Sequence, residues 1–303
     1  MSNPLDRPDV ATLLAATPYA EVAVDTMRGP HITPAAFAAA DGRLWVVSSR
    51  RTVRVRAVRR RHVAAALVRQ GDRAVVVSGS ADVLSFWRPG ETVGLVMNSL
   101  PVARAAATYA ARNAALLMGG FVRDIVAGTG DLALYDRVLV AIEPERGMLL
   151  DGEQLVDAWG RWRRVSRPLP ERAPAAVPAL EELVAALPPA VADALERPDT
   201  ASLGWTCPTG PLVLPALHAE ADGRAVVASA ALELAGAPSR VAACLTFHNS
   251  ESQRPSGFRG AILRGEGHVV RRGPLRTSVA VTAERVSWWS GFQSGTATGE
   301  VAA

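Results

Sequence analysis

The sequence predicts a mainly β protein, two small antiparallel β-barrels in tandem with helical additions. Three observations predict it. One stretch of the chain recurs without a gap, two further matches follow it in the same order, and the matched segments read as short apolar strands joined by tight turns. One match would be easy to find by chance in an alanine-rich chain; three in one order are not.

The recurring stretch is Gly29 to Arg43, repeated at Gly210 to Arg224; both open on Gly-Pro, carry an internal Pro-Ala and close on Ala-Asp-Gly-Arg. Asp-Gly between apolar runs is a hairpin signal, so a strand is expected on either side. The second strand of each pair is Leu44 to Ser48 and Ala225 to Ser229. Next, Val76 to Val83 matches Ile262 to Val269, each a strand with a central glycine, Gly79 or Gly265. Glycine there marks a bulge or a close backbone approach. Val140 to Arg146 then matches Val279 to Arg285. The first copy carries about 47 extra residues near 89–134, rich in the good helix formers Ala, Leu and Arg. Helices are expected there over Val102 to Ala115 and Leu116 to Val126, with Gly128 and Gly130 as stop signals. A proline-rich linker (Pro168, Pro170, Pro174, Pro178) follows, with short helices over Leu180 to Leu187 and Val191 to Glu196. The expected division is a first barrel over 1–165, a linker over 166–200 and a second, degenerate barrel over 201–303.

Composition narrows the function classes. A chain of 303 residues can bury two cores, and 49% apolar with 20% charged residues excludes a disordered chain. All 33 basic side chains are Arg, yet the net charge of +4 is mild and does not point to nucleic acid. Cys207 and Cys244 form neither a disulfide framework nor a metal spacing, and read as small buried groups in a reducing compartment. Pro4, Asp6, Pro8 and Asp9 stand where a signal peptide would be basic then apolar. The most apolar window, Gly94 to Phe121, is broken by Asn98, Pro101, Arg104, Arg112 and Asn113. A soluble, cytoplasmic protein without membrane or nucleic-acid partners is expected. His31, His62, His218, His248 and His268 show no metal spacing, so no metal site is expected. No nucleophile elbow, P-loop or paired-acid motif is present, and no catalytic residue is assigned.

The most informative stretch is Ser48-Ser49-Arg50-Arg51-Thr52-Val53-Arg54, read as a basic hairpin. Carried on in the gapless register, Arg50, Arg51 and Arg54 face Ala231, Leu232 and Ala235 of the second copy. A coding bias towards Arg would act on both copies alike, so the asymmetry points to function. Hydroxyls followed by guanidinium forks can surround a phosphate. Arg56, Arg59, Arg60 and Arg61 are expected on the wet face of a helix beginning near Val53. Strand alternation lets at most one of Trp288 and Trp289 face any one cleft; Trp159 and Trp162 are expected on a short helix that docks the linker.

Gly29-Pro30-His31-Ile32-Thr33-Pro34, the Asp41-Gly42 turn, Leu44 to Ser48, the basic run from Arg54 and the strand around Gly79 together resemble the flavin-binding split-barrel family that includes pyridoxamine 5′-phosphate oxidase. The resemblance covers most of Pro18 to Val83 and, more faintly, Ser202 to Gly295. It implies a split barrel whose dimer cleft holds flavin mononucleotide (FMN) or, in some relatives, a deazaflavin coenzyme. The basic position matching Arg54 and the hydroxyl matching Ser48 would hold the phosphate, assisted by Ser49, Arg50 and Thr52. The strand matching Thr33, Pro34, Ala35 and Ala36 would run beside the ring. Arg54 and Ala57 depart from the family's usual Lys and Asn, and the contacts that define the pyridoxamine phosphate oxidase itself are not recognisable. A fused pair would be a monomeric pseudo-dimer or would pair again as a homodimer.

The leading expectation is a flavin- or deazaflavin-dependent oxidoreductase acting on a small organic substrate, the cofactor carrying the chemistry. The alternatives are a non-catalytic binder or sensor of flavin, haem or another anionic ligand and, last, a nucleic-acid binder with strongly salt-dependent affinity.

Overall fold

Runs of valine and alanine, broken by turns at Asp-Gly and other glycines, form antiparallel strands because small and β-branched side chains pack well on a pleated surface. The computed structural model describes residues 3–85, 88–114, 137–162, 180–249, 257–291 and 293–298. A short 3-10 turn (Pro4–Asp6) and helix α1 (Pro8–Ala16) lead into β1 (Tyr19–Thr26), β2 (Gly29–Ala40) and β3 (Arg43–Ser49). Then come α2 (Val53–Arg61), β4 (Val63–Gln70), β5 (Arg73–Leu84), α3 (Pro89–Met97), α4 (Ser99–Arg112), β6 (Arg137–Asp151) and β7 (Gln154–Gly160). The second half runs α5 (Leu180–Ala185), α6 (Pro189–Glu196), β8 (Thr200–Cys207), β9 (Gly210–Pro215), β10 (His218–Ala219) and β11 (Arg224–Ala228). It ends with α7 (Ser229–Leu234), β12 (Arg240–Asn249), β13 (Arg259–Arg272), β14 (Arg276–Ser290) and β15 (Gln293–Thr298).

The first sheet has the order β3-β2-β1-β4-β5-β6-β7, and β3 also pairs with β6, closing six strands into a barrel with β7 outside. Val22, Phe37, Val46, Val77 and Ile142 fill it, with Val55 and Val58 of α2 packed in the same core. The second sheet, β10-β11-β14-β13-β12-β8-β9 with β15 on β14, follows the same circuit as a curled half-barrel. Here β9 and β10, parted at Ala216 and Leu217, take the place of the single strand β2. The repeat holds in detail. The β5–β6 register slips between Ser78 and Gly79, and the β13–β14 register slips between Arg264 and Gly265. A Cβ at Gly79 would stand 1.9 Å from the Glu143 carbonyl oxygen, and one at Gly265 1.8 Å from that of Thr282. Both glycines are therefore close backbone approaches, as their place in the strands implied.

Thr26 pairs with Gly29 in the first half and Cys207 with Gly210 in the second, so Glu21 corresponds to Ser202 and Asp25 to Thr206. These equivalents touch: Ser202 donates to Glu21, and Thr206 Oγ1 to Asp25 at 3.4 Å. Residues related by a repeat can meet their own counterparts only close to the axis that relates the copies, so the halves form a pseudo-twofold pair. Small residues let the sheets approach: Gly204 lies under Ile32, Gly29 against Ala242, and Gly210 against Val63.

The helices depart from the sequence reading. In the insertion, α3 begins at Pro89 and α4 runs from Ser99 to Arg112, whereas one helix over Val102 to Ala115 was expected; Pro89 and Asn98 each open a helix where only the later alanine-rich run had been read. Arg112 sits over the Phe37 ring at 4.4 Å and donates to the Leu14 and Thr17 carbonyls, fastening α4 to the first barrel. The helix expected over Leu116 to Val126 and the proline cluster of the linker lie outside the described residues. Trp159 and Trp162 are not on a helix: Trp159 is on β7 with its ring across Gly147, and Trp162 donates to the Gly147 carbonyl at 3.3 Å.

At the axis, burial alone would raise the Glu21 carboxyl, but Arg69, His248 and Ser202 outweigh it and hold it at about 2, against an ordinary 4.5. That depressed carboxylate stabilises the paired halves above pH 4.5, and the contribution is lost as pH falls towards 2. Asp25 behaves oppositely. Burial pushes it up to about 6 from 3.8, against the pull of Arg61 and Thr206. Its ionised form therefore costs stability above pH 3.8, fully so above about 6. Asp25→Asn is expected to raise the Tm by roughly 2–4 °C at about pH 8, with the gain gone near about pH 4. A thermal melt series checks this; a variant no more stable than the parent at the higher pH contradicts it.

Candidate functional site

The halves enclose a cavity of about 670 Å³. From the first half, β2 contributes His31, Thr33, Pro34 and Ala35; the end of β3 contributes Val47, Ser48 and Ser49. The turn into α2 and its first residues add Arg51, Thr52, Val53, Arg54 and Arg56, and β6 adds Arg137. The opposite wall comes from the second half: Phe258, Ile262 and Arg264 around β13, Trp288 and Trp289 on β14, and residues 294–296 on β15. Among the described lining residues five are arginines and none carries a carboxylate.

Local structure aims these groups. Thr52 caps α2, its hydroxyl accepting from the Val55 N–H at 3.3 Å and donating to the Ser49 carbonyl at 2.9 Å, with Ser48 Oγ at 3.2 Å. Arg59 ties α2 to α3 through both oxygens of Glu91, at 2.6 and 2.9 Å. Arg54 is buried and braces α2 against β2, donating to the Thr33 carbonyl at 3.0 Å, the Pro34 carbonyl at 3.3 Å and the Thr33 hydroxyl. Its Nε has no partner, and burial brings its pKa down to about 10 although Tyr109 opposes this. Arg54 is thus partly committed to holding the wall, while Arg51 and Arg56 are more exposed.

Of the residues expected at a ligand site, Thr33, Pro34, Ala35, Ser48, Ser49, Thr52 and Arg54 come together on this cavity. Arg50 does not line it; its carbonyl accepts from Arg59 at 3.4 Å behind the wall. The basic stretch is also not a hairpin but a turn followed by α2, since Thr52 is a good cap and the following residues form helix readily. The gapless register fails at the same point: α7 starts at Ser229 directly after β11, whereas α2 starts five residues later in the repeat, at Val53. Arg56, Arg60 and Arg61 are exposed, as a wet face requires, and Arg56 also borders the cavity, whereas Arg59, expected with them, is half-buried on Glu91. Trp288 and Trp289 both contribute to the lining, against the strict alternation expected of a strand. Each ring lies across the glycine paired with it, Gly295 on β15 and Gly260 on β13, near the end of β14. Arg137 and Arg264 were not foreseen. The repeat held a signal for Arg264, which stands where the first copy has Ser78.

The twin position across the axis is apolar. Leu212 and Leu214 replace His31 and Thr33, and they are buried with Ala231 and Leu232 of α7 and Met148 and Leu150 of β6 in one core. His31 itself is buried, its Nδ1 bonded to the Arg264 guanidinium. Burial first, then Arg264 and Arg54, drive its pKa well below 6.5. A guanidinium only donates, so Nδ1 accepts and the imidazole carries its proton on Nε2. Among the described residues no cluster of three or more His, Cys, Asp or Glu is placed to hold a metal, and no helix is long and apolar enough to cross a membrane. Cys207 and Cys244 are buried, and burial pushes both thiols up to about 12.

No family model and no curated protein matches the chain. Solved structures similar to it include a conserved hypothetical protein of Mycobacterium tuberculosis (20% identity, 50% of this chain and 85% of that one, TM-score 0.35). A pyridoxamine 5′-phosphate oxidase-related, FMN-binding protein of Nostoc punctiforme matches at 13% identity over 49% of this chain and 84% of that one, with a TM-score of 0.34. A FAD-binding protein of Mesorhizobium loti matches at 17% over 46% and 91%, also with a TM-score of 0.34. Each is similar to about half the chain.

His31 is expected to stay neutral, as the Nε2–H tautomer, across about pH 6 to 8. Nitrogen chemical shifts of the imidazole check this, and a protonation step of His31 inside that window contradicts it.

Proposed function

We propose that the chain binds a flavin, FMN in the first instance, in the cavity between its halves and acts as an oxidoreductase on a small organic molecule. The observation that carries the reading is the charge of the cavity wall from the first half: Arg51, Arg54, Arg56 and Arg137, several hydroxyls and, among the described lining residues, no carboxylate. The donor set fits a phosphate. Ser48, Ser49 and Thr52 offer hydroxyls beside the start of α2, and Arg51, Arg56 and Arg137 supply charge. Arg54 works from behind, holding α2 on β2 so that its neighbours converge. A deazaflavin coenzyme, whose phosphate meets the same groups, is the alternative cofactor.

When bound, the flavin supplies electron and hydride transfer at its ring. Ser48, Ser49, Thr52, Arg51, Arg56 and Arg137 would grip its phosphate, Thr33, Pro34 and Ala35 would line the wall beside its ring, and Phe258, Trp288 and Trp289 would exclude water. Among the described residues the lining holds no Asp, Glu, Cys or Tyr, which fits a site where the cofactor carries the chemistry. The same feature favours, as a second reading, a carrier that binds flavin without turnover.

Titration of the purified chain with FMN tests the proposal. Arg51→Gln and Arg56→Gln are each expected to weaken binding by roughly tenfold or more, the worth of a charge-assisted hydrogen bond. Arg224→Gln, in the distant β10–β11 turn, is expected to leave it unchanged. Equal affinity in all three variants, or no binding to the parent chain, overturns the reading. Reduction of the bound flavin by a substrate would separate the oxidoreductase from the carrier.

A further inference from the structure

The pseudo-twofold axis places two matching arginines in different company. In the first half Arg146, buried beside Trp162, donates to Ser78 Oγ at 3.0 Å and to the Thr209 carbonyl at 2.7 Å. Its counterpart in the repeat is Arg285, and the positions matching Ser78 and Thr209 are Arg264 and Arg28. Where one side has an arginine meeting neutral acceptors, the other gathers three arginines. Among the described residues no carboxylate acts on the Arg264 guanidinium, and Glu284 acts on Arg285 alone of the three. Arg264 is the buried member, only 8% exposed, and it lines the cavity. Its Nε has no hydrogen-bond partner, and its one bond to another side chain goes to neutral His31. Burial, then Arg285 and Arg28, disfavour its charge, with Cys244 acting the other way.

A buried guanidinium crowded by two others and left without an anion is costly, and an arriving anion relieves that cost. The groups facing this corner are Arg264, Arg28, Arg285, Arg54 and His31, whose Nε2–H is a donor; among the described residues the acid acting on this set is Glu284, next to Arg285 in the chain. His31 lies two residues, about 7 Å of strand, from Thr33, where Arg54 of α2 meets β2, so this corner adjoins the start of α2 but is built around Arg264 of the other half. Phe258, Trp288 and Trp289 supply flat apolar walls between them. We propose that Arg264, with His31 beside it and Arg28 and Arg285 behind it, receives the carboxylate of a planar organic acid, which makes that class the substrate or ligand sharing the cavity. A planar fork on a carboxylate is the geometry guanidinium groups favour. The proposal rests on the flavin reading for the word substrate, but not for the existence of the subsite.

Calorimetric titration of the purified chain with benzoate, with and without added FMN, tests it, using benzyl alcohol as the uncharged control. Benzoate is expected to bind and benzyl alcohol not to. Arg264→Gln should weaken benzoate by roughly tenfold or more while FMN affinity is retained. Arg285→Gln and Arg28→Gln, on more exposed side chains, should each weaken it a few-fold, and they carry the test if Arg264→Gln does not fold. Binding should be flat across about pH 6 to 8, because a neutral His31 contributes no titrating charge. Benzoate binding that is absent in the parent, or unchanged in all the variants, overturns the proposal. Benzoate binding that depends on Arg264 in a chain unable to bind FMN would leave the subsite standing and remove the flavin reading.

Discussion

The architecture depends on burying the face of one curved sheet against the face of its repeat. Neither half can leave Ile32, Trp205, Phe247 or Leu203 in water, and all four are fully buried. Close approach is possible because glycines and alanines face one another across the join, with Gly204 under Ile32 and Gly29 against Ala242. Polar groups at the axis are satisfied within it: Glu21 takes hydrogen bonds from Arg69, Ser202 and His248. A buried carboxylate with three partners is tolerable, and its demanding geometry favours a single register for the two halves.

Two halves joined about an axis create two clefts, and mutation can then treat them separately because they are no longer copies of one surface. On one side Leu212, Leu214, Ala231 and Leu232 have sealed the cleft into the core. On the other, His31, Thr33 and the start of α2 keep it open and basic. The closed side adds apolar burial and the open side retains charge. Arg264 is a second departure from symmetry, a buried cation where the repeat has a serine. Such a residue works against stability unless a ligand answers it, which is why the polar cleft reads as a place built for an anion.

Much of the fold was legible because it rests on local rules. The Asp41-Gly42 pair makes its two-residue turn with positive φ at both residues, and Gly79 and Gly265 mark matching bulges. The site was legible in part. Ser48, Ser49, Thr52 and Arg54 could be found because the basic stretch is confined to one copy. The direction of each side chain could not. Arg50 lies off the cavity and Arg56 reaches its border because Thr52 starts a helix, a capping event that shifts every later residue relative to the repeat. The opposite wall was the hardest part, since Arg264, Trp288 and Trp289 reach the cavity only through tertiary contact between residues more than two hundred positions apart. The Asp222-Gly223 turn gives the same lesson on a small scale: Glu220 donates to the Arg224 carbonyl at 2.9 Å, which makes it one residue longer than its counterpart.

The central claim is that breaking the internal symmetry left one ligand cleft in each chain. Native mass spectrometry of the FMN-loaded protein counts it directly. The account predicts one flavin per chain whatever the oligomeric state; two per chain, or none at saturating flavin, would contradict it.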